Sequence, residues 1–266
     1  MRTVAIGGLG AIGLEVARRL DKGVENFKLI AVSARDVPAA RSRVAAFRSP
    51  PPVVPLAELA GADIVIEAAP VAVFDQIAEP AVEAGRILIP ASVGALLQRM
   101  ALIVRAGQTG ARILPPTGAL LGLDAVRAVA EDEVASVLLE SRKPPKSYAG
   151  APWLSAHPVD LDGVSAPLCI FEGSAREAAA AFPANANVAA ALALAGIGAE
   201  RTRVVLWADP GLQRNVHIVR VDSAVARFTM TMEGLPSPAN PRTSRLTPLS
   251  MIASLRGLAS ALKSGS

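Results

Sequence analysis

Few folds are open to a chain that begins with a short apolar run, three spaced glycines and an amphipathic stretch. Val4-Ala5-Ile6 leads into Gly8-Leu9-Gly10-Ala11-Ile12-Gly13 and then into Leu14-Glu15-Val16-Ala17-Arg18-Arg19-Leu20. The succession reads as a buried strand, a Gly-x-Gly-x-x-Gly turn and a helix. Each glycine has its own task. Gly8 permits the tight turn, Gly10 lets the backbone approach a pyrophosphate, and Gly13 lets helix and strand pack closely. The helix N-terminus adds N–H groups and the positive end of its dipole. Gly8, Leu9, Gly10, Ala11, Ile12 and Gly13 are therefore candidate contacts of a dinucleotide, NAD or NADP. A glycine-rich turn in some other α/β protein is the competing reading.

The following elements keep the same rhythm. Phe27–Val32 reads as a second strand. The residue at its end selects the cofactor: an acid binds the ribose hydroxyl, an arginine accommodates a 2′-phosphate. Here Ser33-Ala34-Arg35-Asp36 follows. Ser33 stands where the acid is expected and Arg35 comes next, which favours NADP; Asp36 keeps NAD open, and Arg35 as a solvated loop residue is the plain alternative. Residues 37–48 read as a basic helix and Pro50-Pro51-Pro52 as extended chain. Ala62–Ala69 is too continuously apolar for a half-exposed strand and suits a parallel sheet covered on both faces. A helix over 71–84, a strand over 87–90, a helix over 95–107 and a strand over 111–114 complete the alternation. Ala69 and Ser92, just past two strand ends, join the candidate cofactor contacts. The expected fold is a Rossmann-type doubly wound parallel sheet over residues 1–116.

Pro115-Pro116-Thr117-Gly118 breaks the rhythm. Beyond it, strands are expected over 134–141, 168–173, 202–208, 215–221 and 225–233, with helices over 118–130, 174–182 and 187–195. Strands set apart from helices suggest an α+β domain with a mainly antiparallel sheet, over 117–240. Residues 241–266 read as a proline-containing connector and a helix packing back on the body, with Thr247 as cap and Pro248 in the first turn.

Composition narrows the function. Of 266 residues 52% are hydrophobic, only 3% are aromatic, and the net charge is +4. The arginines are scattered and no basic run is interleaved with aromatics, so no nucleic-acid partner is expected. The most apolar window, Ala178 to Ala195, is interrupted by Pro183, Asn185 and Asn187, so no membrane partner is expected either. One cysteine, Cys169, excludes an intrachain disulfide and suits a reducing cytoplasm.

Candidates for chemistry are few. His157 lies in a polar loop and reads as a surface residue. His217 lies on a predicted strand, where alternation groups it with Asn215 and Val219; it is either a structural histidine or a proton donor and acceptor. Asn185 and Asn187 either cap the following helix or hold cofactor or substrate through an amide. Arg142 and Lys143 end a strand, either solvated or binding the carboxylates of an acidic substrate. No metal-site spacing and no Gly-x-Ser-x-Gly elbow occurs.

Together these stretches resemble the L-aspartate dehydrogenase family over nearly the whole chain. The likeness rests on Ile6–Gly13, Ser92-Val93-Gly94-Ala95, Thr117-Gly118-Ala119, Gly122-Leu123-Asp124 and Arg142-Lys143-Pro144-Pro145. It rests more specifically on Phe171–Ala178, Asn185-Ala186-Asn187-Val188-Ala189, Ala208-Asp209-Pro210, Asn215-Val216-His217 and Asn240-Pro241-Arg242-Thr243-Ser244. The resemblance implies a two-domain homodimer, dimerising through the second domain. It also implies oxidation of L-aspartate with NAD or NADP to iminosuccinate, which hydrolyses to oxaloacetate and ammonia or feeds nicotinamide-cofactor synthesis. By this likeness His217 matches the catalytic histidine, and Ala119 and Asn187 match cofactor contacts. Two positions depart from the pattern: Ile218 follows the histidine where the family often has Glu, and Ser33-Ala34-Arg35 replaces the acid at the second strand. A reductase of the dihydrodipicolinate reductase or homoserine dehydrogenase type is the nearest other enzyme, though no paired-histidine motif or comparable lysine loop is present. A non-catalytic NAD(P)-binding sensor is the alternative outside the enzymes.

Overall fold

The fold was analysed on a computed structural model, which describes residues 1–238 and 240–263. The chain divides into two compact units, Met1–Pro116 with Thr247–Lys263, and Thr117–Leu246.

The first unit is a five-stranded parallel sheet. Its strands are β1 (Arg2–Gly7), β2 (Phe27–Ser33), β3 (Ile64–Glu67), β4 (Ile87–Pro90) and β5 (Arg112–Ile113), in the order β2-β1-β3-β4-β5. Order and direction are those of a doubly wound Rossmann-type sheet, with the switch between β1 and β3. β3 is buried at all four residues, as a sheet covered on both faces requires. The connecting helices are α1 (Gly13–Gly23), α2 (Val37–Val44), α3 (Phe74–Glu83), α4 (Val93–Leu96) and α5 (Met100–Thr109). The single helix expected over 95–107 is thus two. Arg99 leaves helical geometry (φ −132°, ψ 44°) and pairs with Asp75 of α3, which ties the break down.

The second unit begins with a turn rather than the helix expected from 118. Gly118 and Gly122 both take positive φ, which an α-helix cannot contain, so α6 starts at Leu123 and ends at Val129. The sheet comprises β6 (Val134–Lys143), β7 (Leu168–Ser174), β8 (Thr202–Ala208), β9 (Asn215–Ser223) and β10 (Arg227–Gly234), ordered β10-β9-β6-β8-β7. Only β6 and β8 pair in parallel; the sheet is mainly antiparallel. Helices α7 (Pro152–Ala156), α8 (Ala175–Ala181) and α9 (Asn187–Ala195) complete the body. Ser174 and Glu177 form a reciprocal capping box that starts α8 directly off β7. A short ribbon, β11 (Pro236–Ser237) and β12 (Asn240–Ser244), follows.

The last helix, α10 (Leu246–Ala259), belongs to the first unit, where Met251, Ile252 and Leu255 enter its core. It begins earlier than Thr247-Pro248 suggested. Ser244 Oγ accepts the Leu246 N–H at 3.1 Å, so the starting role falls to a residue upstream and Thr247 lies inside the first turn. Residues 264–266 of the expected C-terminal segment lie outside the described residues.

Candidate functional site

Two sets of candidate residues are brought together, one in each unit. In the first unit the Gly8–Gly13 turn joins β1 to α1. Gly8 has φ +95°, and a Cβ there would lie 2.4 Å from the Ala68 carbonyl oxygen and 2.7 Å from the Ala69 nitrogen. A Cβ on Gly13 would lie 1.9 Å from the Gly8 oxygen. Both positions therefore exclude any side chain, and the loop after β3 abuts the turn. Gly10 is different: a Cβ there meets nothing within 4 Å, so the turn offers bare backbone to open space. No side chain caps the first turn of α1. Backbone N–H groups at a helix start beside an open glycine suit a pyrophosphate, so the residues present fit a dinucleotide.

The rim of this cradle is ordered by neighbours. Gly8 N–H donates to the Ser33 carbonyl at 2.7 Å, and Arg43 of α2 donates to the Leu9 carbonyl at 2.9 Å. Ser33 is buried and Arg35 exposed. Asp36, the acid that kept NAD open, caps α2 by accepting the Ala39 N–H at 3.0 Å. Ala69 and Ser92 meet at Glu67, the fully buried last residue of β3. Glu67 Oε1 accepts from the Ala69 N–H at 3.0 Å and the Ser92 hydroxyl at 3.1 Å, and Oε2 accepts from the Ser92 N–H at 2.9 Å. Burial outweighs these hydrogen bonds and holds its carboxyl above the ordinary carboxylate range. Neither Glu67 nor Arg43 stood out in the sequence. The one available signal was a lone acid closing the run Ile64-Val65-Ile66.

In the second unit a polar cluster lies on one face of the sheet. His217 of β9 is 2% exposed and stands opposite Ser141 of β6. Its Nδ1 lies 3.0 Å from Ser141 Oγ, which leaves Nε2 as the ring nitrogen with no described partner. Lys143, two residues along β6 and thus on the same face, is also buried. Its Nζ donates to Asn185 Oδ1 at 2.8 Å and lies 5.8 Å from the centre of the Tyr148 ring. The Asn185 amide donates in turn to the Ser147 carbonyl at 3.4 Å, and the Tyr148 hydroxyl donates to the Ser141 carbonyl at 3.3 Å. Burial alone pulls the Lys143 ammonium down to about 8. Burial, and then the positive charge of Lys143, pulls His217 down to about 3. The cluster thus holds a neutral imidazole beside a lysine that has no carboxylate partner among the described residues.

Other candidates are placed differently. Arg142 alternates with Lys143 and occupies the opposite face, where Nε donates to Glu140 at 2.6 Å and the guanidinium stacks on Trp207 at 4.8 Å. Ile218 also faces that side. A carboxylate is nonetheless present there, because Glu140 is the register partner of Ile218. Asn185 does not cap α9: Ala186 holds the cap position, no side chain bonds there, and Asn187 is the first helical residue. Ala119 lies half-buried in the turn Thr117–Leu120. His157 is exposed and stacks on Trp153. Sequence reading missed Ser141 and Tyr148; the spacing of Ser141, two before Lys143 on a strand, was the only pointer. No group of three His, Cys, Asp or Glu able to hold a metal occurs among the described residues, and no helix among them is long and apolar enough to cross a membrane.

Both units have relatives among known proteins. The family described as aspartate dehydrogenase, C-terminal, matches residues 124–258, and the homoserine dehydrogenase NAD binding domain matches residues 8–116. The chain is 49% identical to L-aspartate dehydrogenase 3 of Bordetella bronchiseptica, over 98% of this chain and 97% of that one. It is 39% identical to the L-aspartate dehydrogenase of Methanosarcina barkeri over the full length of both. Among solved structures, aspartate dehydrogenase from Thermotoga maritima superposes with a TM-score of 0.73 at 27% identity, covering 100% of both chains.

Proposed function

We propose a function from the premise that this chain belongs to the L-aspartate dehydrogenase family: it oxidises L-aspartate with a pyridine nucleotide, and the polar cluster around His217 handles the amino acid. The observation that carries this reading is the buried His217–Ser141 pair beside a buried lysine without a carboxylate partner among the described residues.

A bound pyridine nucleotide would supply the hydride acceptor that lets the Cα amine of aspartate become an imine. Gly8, Leu9, Gly10, Ala11, Ile12 and Gly13 would hold its pyrophosphate, with Ser33, Arg35, Ala69, Ser92, Ala119 and Asn187 completing the contacts. Lys143 binds a carboxylate of aspartate through a charge-assisted hydrogen bond. Asn185 holds the lysine in place; Arg142, on the other face, buttresses the strand through Glu140. Ser141 occupies Nδ1 of His217, so protons move on and off Nε2. There His217 takes a proton from the water that adds to the imine carbon and returns one to the departing amine. The balance is L-aspartate, water and oxidised cofactor giving oxaloacetate, ammonium, reduced cofactor and a proton. In the cell iminosuccinate released before hydrolysis would supply nicotinamide-cofactor synthesis.

NADP is the favoured cofactor. Arg35 stands exposed just past the end of β2, and the acid that follows it, Asp36, is engaged as a helix cap. We further propose a homodimer, as the family likeness implies, in the reducing cytoplasm that the single Cys169 suits. It would pair through the outer face of the second sheet, where Leu138, Val205, Trp207, Val216 and Ile218 are only half-buried. Sedimentation of the purified protein checks the dimer.

The deciding assay follows absorbance of reduced nicotinamide with L-aspartate and NADP, then NAD, with D-aspartate, L-glutamate and L-homoserine as controls. Turnover confined to L-aspartate is expected. His217→Ala should bind cofactor normally and lose about a hundred- to ten-thousandfold in turnover; unchanged turnover removes His217 from the mechanism. Cofactor binding without turnover on any amino acid would mark a sensor instead.

A further inference from the structure

Glu67 has no part in the chemistry above, yet it places a carboxyl group in the core of the first unit. The residue is fully buried at the end of a strand whose other three members are apolar. Three donors converge on its two oxygens: the Ala69 N–H, the Ser92 N–H and the Ser92 hydroxyl. A protonated carboxyl would need an acceptor for its own hydrogen, whereas a carboxylate accepts only. Two of the three donors are backbone N–H groups, which can only donate, so the surroundings suit a carboxylate. The groups facing it, Ala69, Ala91 and Ser92, are neutral, and no ion pair among the described residues includes it. An anion buried without a cation is expensive to keep. Tying two loops together requires an acceptor, not a net charge.

Position supplies the reason for a charge. The nitrogen of Ala69, one of the donors, lies 2.7 Å from where a Cβ on Gly8 would sit, next to the Ala68 carbonyl that the Cβ would strike first. Ser92, the other, follows the end of β4. In a sheet ordered β2-β1-β3-β4-β5 a dinucleotide lies across the switch point, with its adenosine ribose read at the end of β2. The nicotinamide half therefore belongs on the β3 and β4 side, at whose edge Glu67 stands. That ring carries a positive charge when oxidised and none when reduced.

We infer that Glu67 is an electrostatic selector of the cofactor's redox state: its carboxylate strengthens binding of the oxidised, cationic nicotinamide relative to the neutral reduced form. The inference rests on the reading that a pyridine nucleotide occupies this edge. It makes Glu67 a positioning residue with an additional electrostatic effect, distinct from the groups that touch aspartate.

The test measures dissociation constants of oxidised and reduced cofactor on the wild type, Glu67→Gln and Glu67→Asp, each checked for folding by circular dichroism. Glu67→Gln keeps shape and removes charge. It should lose affinity for the oxidised form at least about fivefold more than for the reduced form, the scale of an ordinary coupling between sites. Glu67→Asp keeps the charge and should hold the wild-type ratio even where both affinities fall. Equal losses of both forms in Glu67→Gln would reduce Glu67 to a strut and overturn the inference, as would a shift of the ratio in Glu67→Asp matching that in Glu67→Gln.

If Glu67→Gln does not fold, the same coupling is read on the wild type, because linkage is reciprocal. A carbon-13 carboxyl titration of Glu67 must then show a lower midpoint in the oxidised complex than in the reduced one; equal midpoints overturn the inference. Failure of the wild type to bind either form is a separate result, which overturns the cofactor reading and this inference with it.

Discussion

The nucleotide cradle and the His217 cluster are built on opposite plans. The cradle is made of six consecutive residues and works through backbone; its side chains matter by being absent. The cluster is made of side chains from β6, β9, the turn after β6 and the loop before α9. Its two key contacts join residues 76 and 42 positions apart. A local backbone device fails when a methyl group is added. An assembled polar device fails when a functional group is removed, and its buried lysine and histidine make its stability depend on pH.

That contrast can be broken most directly at the cradle. Gly13→Ala places a Cβ 1.9 Å from the Gly8 oxygen, and backbone on both sides cannot yield. We expect a loss of about 3 kcal/mol or more of stability together with loss of nucleotide binding, read by thermal melting and by cofactor titration. Gly10→Ala, which meets no neighbour, should keep its stability and lose only cofactor affinity. Equal destabilisation by the two would end the argument that the glycines have different tasks.

The cluster should show its cost in acid. The His217 pKa lies near 6.5 when unfolded and near 3 when folded. Between those limits the unfolded chain binds a proton that the folded chain does not. Stability therefore falls as pH drops from about 6.5 towards 3, by a few kcal/mol at the bottom of the window. His217→Asn should flatten that limb in denaturant titrations; a limb of unchanged slope would place the acid sensitivity elsewhere.

A smaller and opposite effect is expected at Lys143, whose ammonium is held near 8 by burial. Below that pH the folded chain keeps an ammonium where burial disfavours charge. Lys143→Met should relieve this and lose the bond to Asn185, for a net gain of about 2 kcal/mol at neutral pH. The wild type should regain stability between about pH 8 and 10.5, where the unfolded chain holds the proton the folded one has shed; the Met variant should not. At the same time KM for aspartate should rise about ten- to a hundredfold, the worth of a charged hydrogen bond. Stability and activity moving together would refute the assignment of Lys143 to substrate.

The smallest effect concerns the exposed rim of the cradle. Arg35→Ala should lower the NADP-to-NAD ratio of kcat/KM by about tenfold at low salt, and by less as salt screens the exposed charge.

Much of the first unit was legible because its signals are contiguous. Strand, glycine turn and helix follow one another in thirteen residues, and the continuous apolar run at β3 already implied a sheet covered twice. Period-two alternation also put His217 and Ile218 on opposite faces of the sheet, and the structure buries the face with His217. The same rule separates Arg142 from Lys143, although adjacent cations had suggested a joint site. Helix limits were less legible, since positive φ at Gly118 and Gly122 and the Arg99–Asp75 pair act against local apolar periodicity.

By itself, then, the sequence determined the alternating strands and helices of the first unit, the glycine turn after β1 and which strand residues share a face, because these depend on neighbours in the chain. Only the tertiary structure decided which residues meet: Ser141 with His217, Lys143 with Asn185, Glu67 with Ala69 and Ser92. Strand register and loop closure bring these groups within hydrogen-bond distance, and burial then sets their charge. Both depend on parts of the chain that no local pattern connects.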